Sequence, residues 1–135
     1  MRIQFDPDEI LVCDGAMGTM LQEAGLPSGG CPELWNLEEP EAILGIHRAY
    51  VEAGARIIES NTFGASPLKL ADYDLEDQSF QLARAGAALA RKAAGDRALV
   101  AGSVGPTGGL VEPMGPFSYD DLEEAFMLQI RGLAE

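Results

Sequence analysis

Ile10-Leu11-Val12-Cys13-Asp14-Gly15-Ala16-Met17-Gly18-Thr19 is the stretch whose reading decides the fold of this chain. Four apolar residues in a row predict a short buried strand. Asp14-Gly15 breaks it, and a helical pattern follows from about Thr19 to Ala24, stopped by Gly25 and Pro27. A carboxylate therefore stands where a strand ends, beside glycines that let backbone approach a ligand closely. In parallel α/β folds that end of a strand is where sites are built. A plainer reading makes Asp14 the N-cap of the next helix. Cys13 is expected to pack as a small apolar residue within the strand.

The same pattern recurs twice. Arg56-Ile57-Ile58-Glu59-Ser60 predicts a second strand and runs into Asn61-Thr62-Phe63-Gly64. Ala98-Leu99-Val100-Ala101 predicts a third, followed by Gly102-Ser103-Val104-Gly105-Pro106-Thr107-Gly108-Gly109. Helical patterns alternate with them. Pro40 to Ala53 carries an apolar stripe of Ala42, Ile43, Ile46, Ala49, Tyr50 and Ala53, with Pro40 suited to the first position and Gly54 to C′. His47 falls beside that stripe and reads as a packing or surface residue. Ser66 to Tyr73 is short helix or irregular chain. Leu75 to Ala94 predicts a long helix, with Asp74 as N-cap and Gly95 as stop. Ser118 and Asp121 form a capping pair ahead of a stripe of Leu122, Ala125, Phe126, Ile130 and Leu133. Pro27 to Pro40 is a loop in which Trp35 serves as an anchor.

Composition narrows the function. The chain has 135 residues, 47% of them hydrophobic, which suits one globular domain with a core. Its net charge of −13 argues against a nucleic-acid partner and against an anionic membrane surface. Two cysteines, Cys13 and Cys31, make no disulfide framework. Met1–Glu9 has no signal-peptide pattern and no segment approaches the ~20 apolar residues of a membrane span, so a soluble, cytoplasmic protein is expected. Nothing forms a nucleophile–base pair around a single histidine, and no metal-ligand cluster is evident. The glycine-rich stretch after the third strand lacks the Gly-Lys-Ser/Thr of a phosphate cradle. What remains is a small-molecule edge where Asp14, Asn61-Thr62 and Gly105-Pro106 gather. A carboxylate there takes an ammonium, and amides take a carboxylate, so the edge suits a zwitterion.

Five motifs then resemble the homocysteine S-methyltransferase family, methionine synthase type. They are Asp14-Gly15-Ala16-Met17-Gly18-Thr19, Glu33-Leu34-Trp35-Asn36, His47-Arg48-Ala49-Tyr50 with Ala53-Gly54-Ala55, Asn61-Thr62-Phe63-Gly64-Ala65 and Gly105-Pro106-Thr107-Gly108. Each alone is weak; the ordered set is specific and spans essentially the whole chain. The resemblance implies an α/β fold comprising the first three βα units of a TIM (β/α)8 barrel, truncated, with residues 1–135 as its N-terminal portion. It implies homocysteine as substrate. Asp14 and the backbone of Gly15, Ala16 and Met17 would hold the amino-acid end, Asn61, Thr62 and Phe63 would line the same pocket, and the Gly105 loop would shape its mouth.

The resemblance also implies zinc, held in the family by three cysteine thiolates on late strands, where the metal activates the substrate thiol toward a methyl donor. Neither Cys13 nor Cys31 lies in those ligand motifs. Cobalamin and methyltetrahydrofolate would act through other modules of the parent enzyme. A complete barrel takes roughly 250 residues. The helix running to Glu135 has no terminating glycine, so the domain is expected to continue and the isolated chain to be inactive in methyl transfer. Its partner would be the remainder of the barrel. The alternative is a stand-alone, non-catalytic βα module that self-associates or pairs with a partner chain to cover open strand edges.

Overall fold

The centre of the molecule is a parallel pair, β1 (Ile57–Glu59) and β2 (Leu99–Ala101), with Ile57 opposite Leu99 and Glu59 opposite Ala101. The computed structural model describes Asp6 and residues 8–135, so the expectation for Met1–Phe5 and Pro7 lies outside the described residues. Pleating sends alternate side chains to opposite faces. Ile58 accordingly enters the core with no exposure, whereas Glu59 is exposed on the other face. Leu44 and Val51 pack on Ile58 from α3 (Pro40–Glu52), and Ala90, Ala93 and Ala94 from α5 (Ser79–Ala94). Alanines there let α5 lie close to the strands.

The predicted first strand is corrected. Residues 10–13 run parallel to β1 but form only the bridge Cys13–Ile57, tied by Arg56 N–H to Val12 O at 2.8 Å and Asp14 N–H to Ile57 O at 2.9 Å. Ile10 is 90% and Val12 59% exposed, and Cys13 is exposed rather than packed. Only β1 flanks this segment among the described residues, and one edge of hydrogen bonds neither completes a ladder nor buries both faces.

The helices follow local chemistry. Pro40 occupies the first turn of α3, and Gly54 beyond its end has φ +105°, a conformation glycine adopts without strain. The first helix, α1 (Met17–Glu23), starts two residues before the expectation. The predicted loop 27–40 contains a turn of helix, α2 (Trp35–Glu38), and Trp35 packs on the cluster of Leu21, Leu26, Ile43 and Ile46. Ser66 caps α4 (Pro67–Leu70) by accepting from Lys69 N–H. The long helix is shorter than predicted. Asp74 is no N-cap: it sits at φ 57°, a 3-10 turn covers Glu76–Gln78, and α5 begins at Ser79. The Ser79 hydroxyl donates to Ala65 O at 2.6 Å, which fixes that start by a tertiary bond. In α6 (Tyr119–Ala134) the Ser118–Asp121 capping box forms as predicted. Its buried residues are Ala125, Gln129 and Gly132, while Ile130 of the predicted stripe is 45% exposed. Gly132 sets this rotation: a Cβ there would lie 2.5 Å from Phe80 O on α5.

Candidate functional site

Where residues 10–13, β1 and β2 end, a cleft of about 220 Å³ opens between Asp14–Met17, Glu59–Phe63 and Ser103. It is smaller than the roughly 300–1,000 Å³ of drug-sized sites and suits an amino-acid-sized ligand. Asp14 stands on one wall. Its Oδ2 accepts from Glu59 N–H at 3.0 Å, a cross-strand bond and not a helix cap, since Ala16 holds the N-cap position of α1 without a side-chain bond. Burial, with a smaller contribution from the Glu59 carboxylate, raises its carboxyl above the ordinary aspartate value. Behind this wall the Tyr50 hydroxyl donates to Ala16 O at 2.8 Å, and a Cβ at Gly15 would come 3.1 Å from that hydroxyl. The turn thus keeps its glycine because α3 supports it from beneath.

The opposite wall is built differently. Asn61 is buried, and its Nδ2 donates to Pro32 O at 2.8 Å and Asn36 Oδ1 at 3.0 Å. Its carbonyl accepts from Asn36 Nδ2, which also reaches Leu82 O. Thr62 Oγ1 donates to Ser103 O at 2.8 Å, and since a hydroxyl has one proton, Ser60 Oγ–H donates to Thr62 at 2.7 Å. Both side chains named as candidates therefore face inward and brace the protein. Their contribution to the cleft is main chain. Thr62 N–H is bonded to Ser60 O and Gly64 N–H to the Glu33 carboxylate, leaving the N–H groups of Asn61 and Phe63 without an acceptor among the described residues. Phe63 projects, 61% exposed.

Gly105 does not line the cleft. It is buried behind Phe63, its N–H donates to Phe63 O at 2.9 Å, and a Cβ would lie 2.6 Å from that oxygen. Its loop buttresses a wall, and its own amide is already engaged.

Sequence reading missed several residues. Glu59 and Ser103 line the cleft, with Ser103 Oγ donating to Glu59 Oε2 at 3.0 Å. The signal was available, because alternation along β1 places Glu59 on the face opposite Ile58. Glu33 and Asn36 lie in a quoted motif, yet their partners are 25 to 46 residues away in sequence. Gly86 on α5 makes room for the wall: a Cβ there would meet Thr62 Cγ2 at 2.6 Å and Asn36 Nδ2 at 2.7 Å. His47 is fully buried with neither ring nitrogen hydrogen-bonded, and burial lowers it to about 4. It is a packing residue.

The family model for homocysteine S-methyltransferase matches residues 11–135. The chain belongs to the homocysteine S-methyltransferase family. Two curated relatives in sequence are methionine synthases of Mycobacterium leprae, 34% identical over 98% of this chain, and of Mycobacterium tuberculosis, 36% identical over 93%. The chain spans 12% of the length of each. Among solved structures, the homocysteine methyltransferase MmuM from Escherichia coli is similar in its oxidized form at TM-score 0.72 and in its metallated form at 0.74, each at 30% identity. The chain covers 49% and 51% of those two chains. The α/β fold is thus shared with homocysteine methyltransferases over about half their length.

The residues described here do not fit a zinc centre of this family. Among them no group of three or more His, Cys, Asp or Glu side chains is placed to hold a metal ion. Cys31 is buried, donates to Glu33 Oε2 at 3.5 Å, and is pushed up to about 11, chiefly by burial. Among the described residues no helix is long and apolar enough to cross a membrane.

Proposed function

We propose that this chain is the N-terminal portion of a homocysteine S-methyltransferase barrel, its first three βα units, and that its cleft holds the amino-acid end of homocysteine. One observation carries the reading: Asp14 and Asn61–Phe63 line one small cleft together. The Asp14 carboxylate takes the substrate ammonium. Backbone N–H groups of Gly15–Met17, Asn61 and Phe63 take its carboxylate, and Phe63 covers the methylene chain. The thiol is then directed to chemistry supplied outside these residues, by zinc on late strands and by cobalamin and methyltetrahydrofolate modules of a methionine-synthase-type parent in the cytoplasm. The chain alone binds and orients, and transfers no methyl group.

Calorimetric titration tests this. L-homocysteine should bind, and 4-mercaptobutanoate, which lacks the ammonium, should bind at least tenfold more weakly. Equal binding of the two removes Asp14 from the reading. Methyl transfer by this chain alone with added zinc contradicts the predicted inactivity. A second reading, pairing with a partner chain or a second copy, is favoured by the exposure of Ile10 and Val12 beside β1. Sedimentation as a compact monomer with a sharp unfolding transition counts against it.

A further inference from the structure

We propose that Gln129 on α6 is a positioning residue for the cleft, its amide setting the spacing between the loops that follow β1 and β2. This rests on the cleft being the homocysteine site. Gln129 has no exposure, and α6 contributes no residue to the cleft lining. Its Nε2 donates to Thr62 O at 2.6 Å and to Ser103 O at 3.3 Å. Those carbonyls belong to loops after different strands, so one amide ties both.

The orphaned end of the same side chain is informative. Gln129 Oε1 is buried and meets no donor among the described residues. A half-satisfied buried amide costs stability that an apolar side chain of similar size avoids. Helix packing alone therefore does not account for a glutamine here; its donor end does. Ala125 and Gly132 flank it on the same face, and the close approach that Gly132 permits brings the amide within reach of the loops. From Ser103 the connection continues through its hydroxyl to Glu59, whose N–H holds Asp14. From Thr62 it continues directly to Phe63. Both walls respond to one outer side chain.

Gln129→Met keeps the length and removes the donor. In the 135-residue chain, the variant should retain its far-ultraviolet circular dichroism, shift the Phe63 and Ser103 amide resonances, and bind L-homocysteine about tenfold more weakly. Gln129→Glu adds a readout that packing does not move. Only its protonated carboxyl donates a hydrogen bond, so its affinity relative to the unsubstituted chain should rise from pH 7.5 to 5.5. Undiminished affinity in folded Gln129→Met overturns the proposal. If that variant does not fold, the unsubstituted chain decides: the Gln129 side-chain amide signals shift on adding homocysteine, or the proposal fails. Absence of homocysteine binding by the unsubstituted chain is a different result, which removes the reading of the cleft and this inference with it.

Discussion

The turn after residues 10–13 and the turn after β1 begin from similar sequence and end in opposite structures. Each is a short apolar run followed by polar residues and a glycine, Gly15 two positions past Cys13 and Gly64 six past Ile58. At the first, the Asp14 side chain lines the cleft and the preceding residues are exposed. At the second, Asn61 and Thr62 are buried, their side chains face inward, and the main chain is what the cleft receives. The difference is in what lies behind. The first turn is tied to β1 and braced from α3 by one hydroxyl, Tyr50, whereas the second is backed by amides from α2 and α6 and a glycine on α5. Similar local patterns can thus supply a ligand with a charge in one place and with a rigid backbone in another.

The sharpest way to break that contrast is Gly86→Ala. The added methyl would sit 2.6 Å from Thr62 Cγ2 and 2.7 Å from Asn36 Nδ2, both held in place by other bonds. A net loss of about 2–3 kcal/mol is expected even after the better helix propensity of alanine. Urea unfolding measures it, and a loss under about 0.5 kcal/mol would show the Asn61 wall to be as yielding as the Asp14 turn.

Next in size is the pH response of α3, the helix that supports the Asp14 turn. His47 is lowered to about 4 from the ordinary 6.5. The unfolded chain then binds more protons between these values, so stability is fully present above about 6.5 and is lost as pH falls toward 4. Unfolding free energy should drop by about 2 kcal/mol from pH 7 to pH 5. Replacing His47 with leucine should flatten that part of the profile.

The smallest effect on stability, and a large one on binding, is expected from Asp14→Asn. Asparagine keeps an acceptor for Glu59 N–H and removes a carboxylate whose charge burial and Glu59 disfavour. Thermal unfolding at neutral pH should be unchanged or slightly higher, while homocysteine affinity falls at least tenfold. In the unsubstituted chain binding should weaken on acidification from a higher pH than an ordinary aspartate gives, because the raised carboxyl protonates earlier. A stability loss above 1 kcal/mol would mean that Asp14 is structural, as Asn61 is.

Much of the chain was legible from residues alone. Alternating runs and punctuation located β1, β2, α3 and α6 to within a few residues, since proline, glycine and the Ser118–Asp121 box act through local backbone geometry. Ordered motifs pointed to the family, and of the three turns expected on one edge, those at Asp14 and at Asn61–Phe63 line the cleft while Gly105 lies behind it. The start of α5 was not legible, because Ser79 is fixed by a bond to Ala65 rather than by its own cap. Nor was the exposure of residues 10–13: hydrophobicity states what a segment is suited to pack against, not which neighbours surround it.

Local sequence by itself determined where strands end and which polar residues stand there, because those outcomes depend on a few neighbouring dihedral angles. Only the tertiary structure decided which way the polar groups face. Asn61, Thr62, Asn36 and Gln129 find partners 25 to 67 residues away, and a buried amide adopts whatever direction satisfies it. The chemistry each residue presents to a ligand is settled by those distant partners.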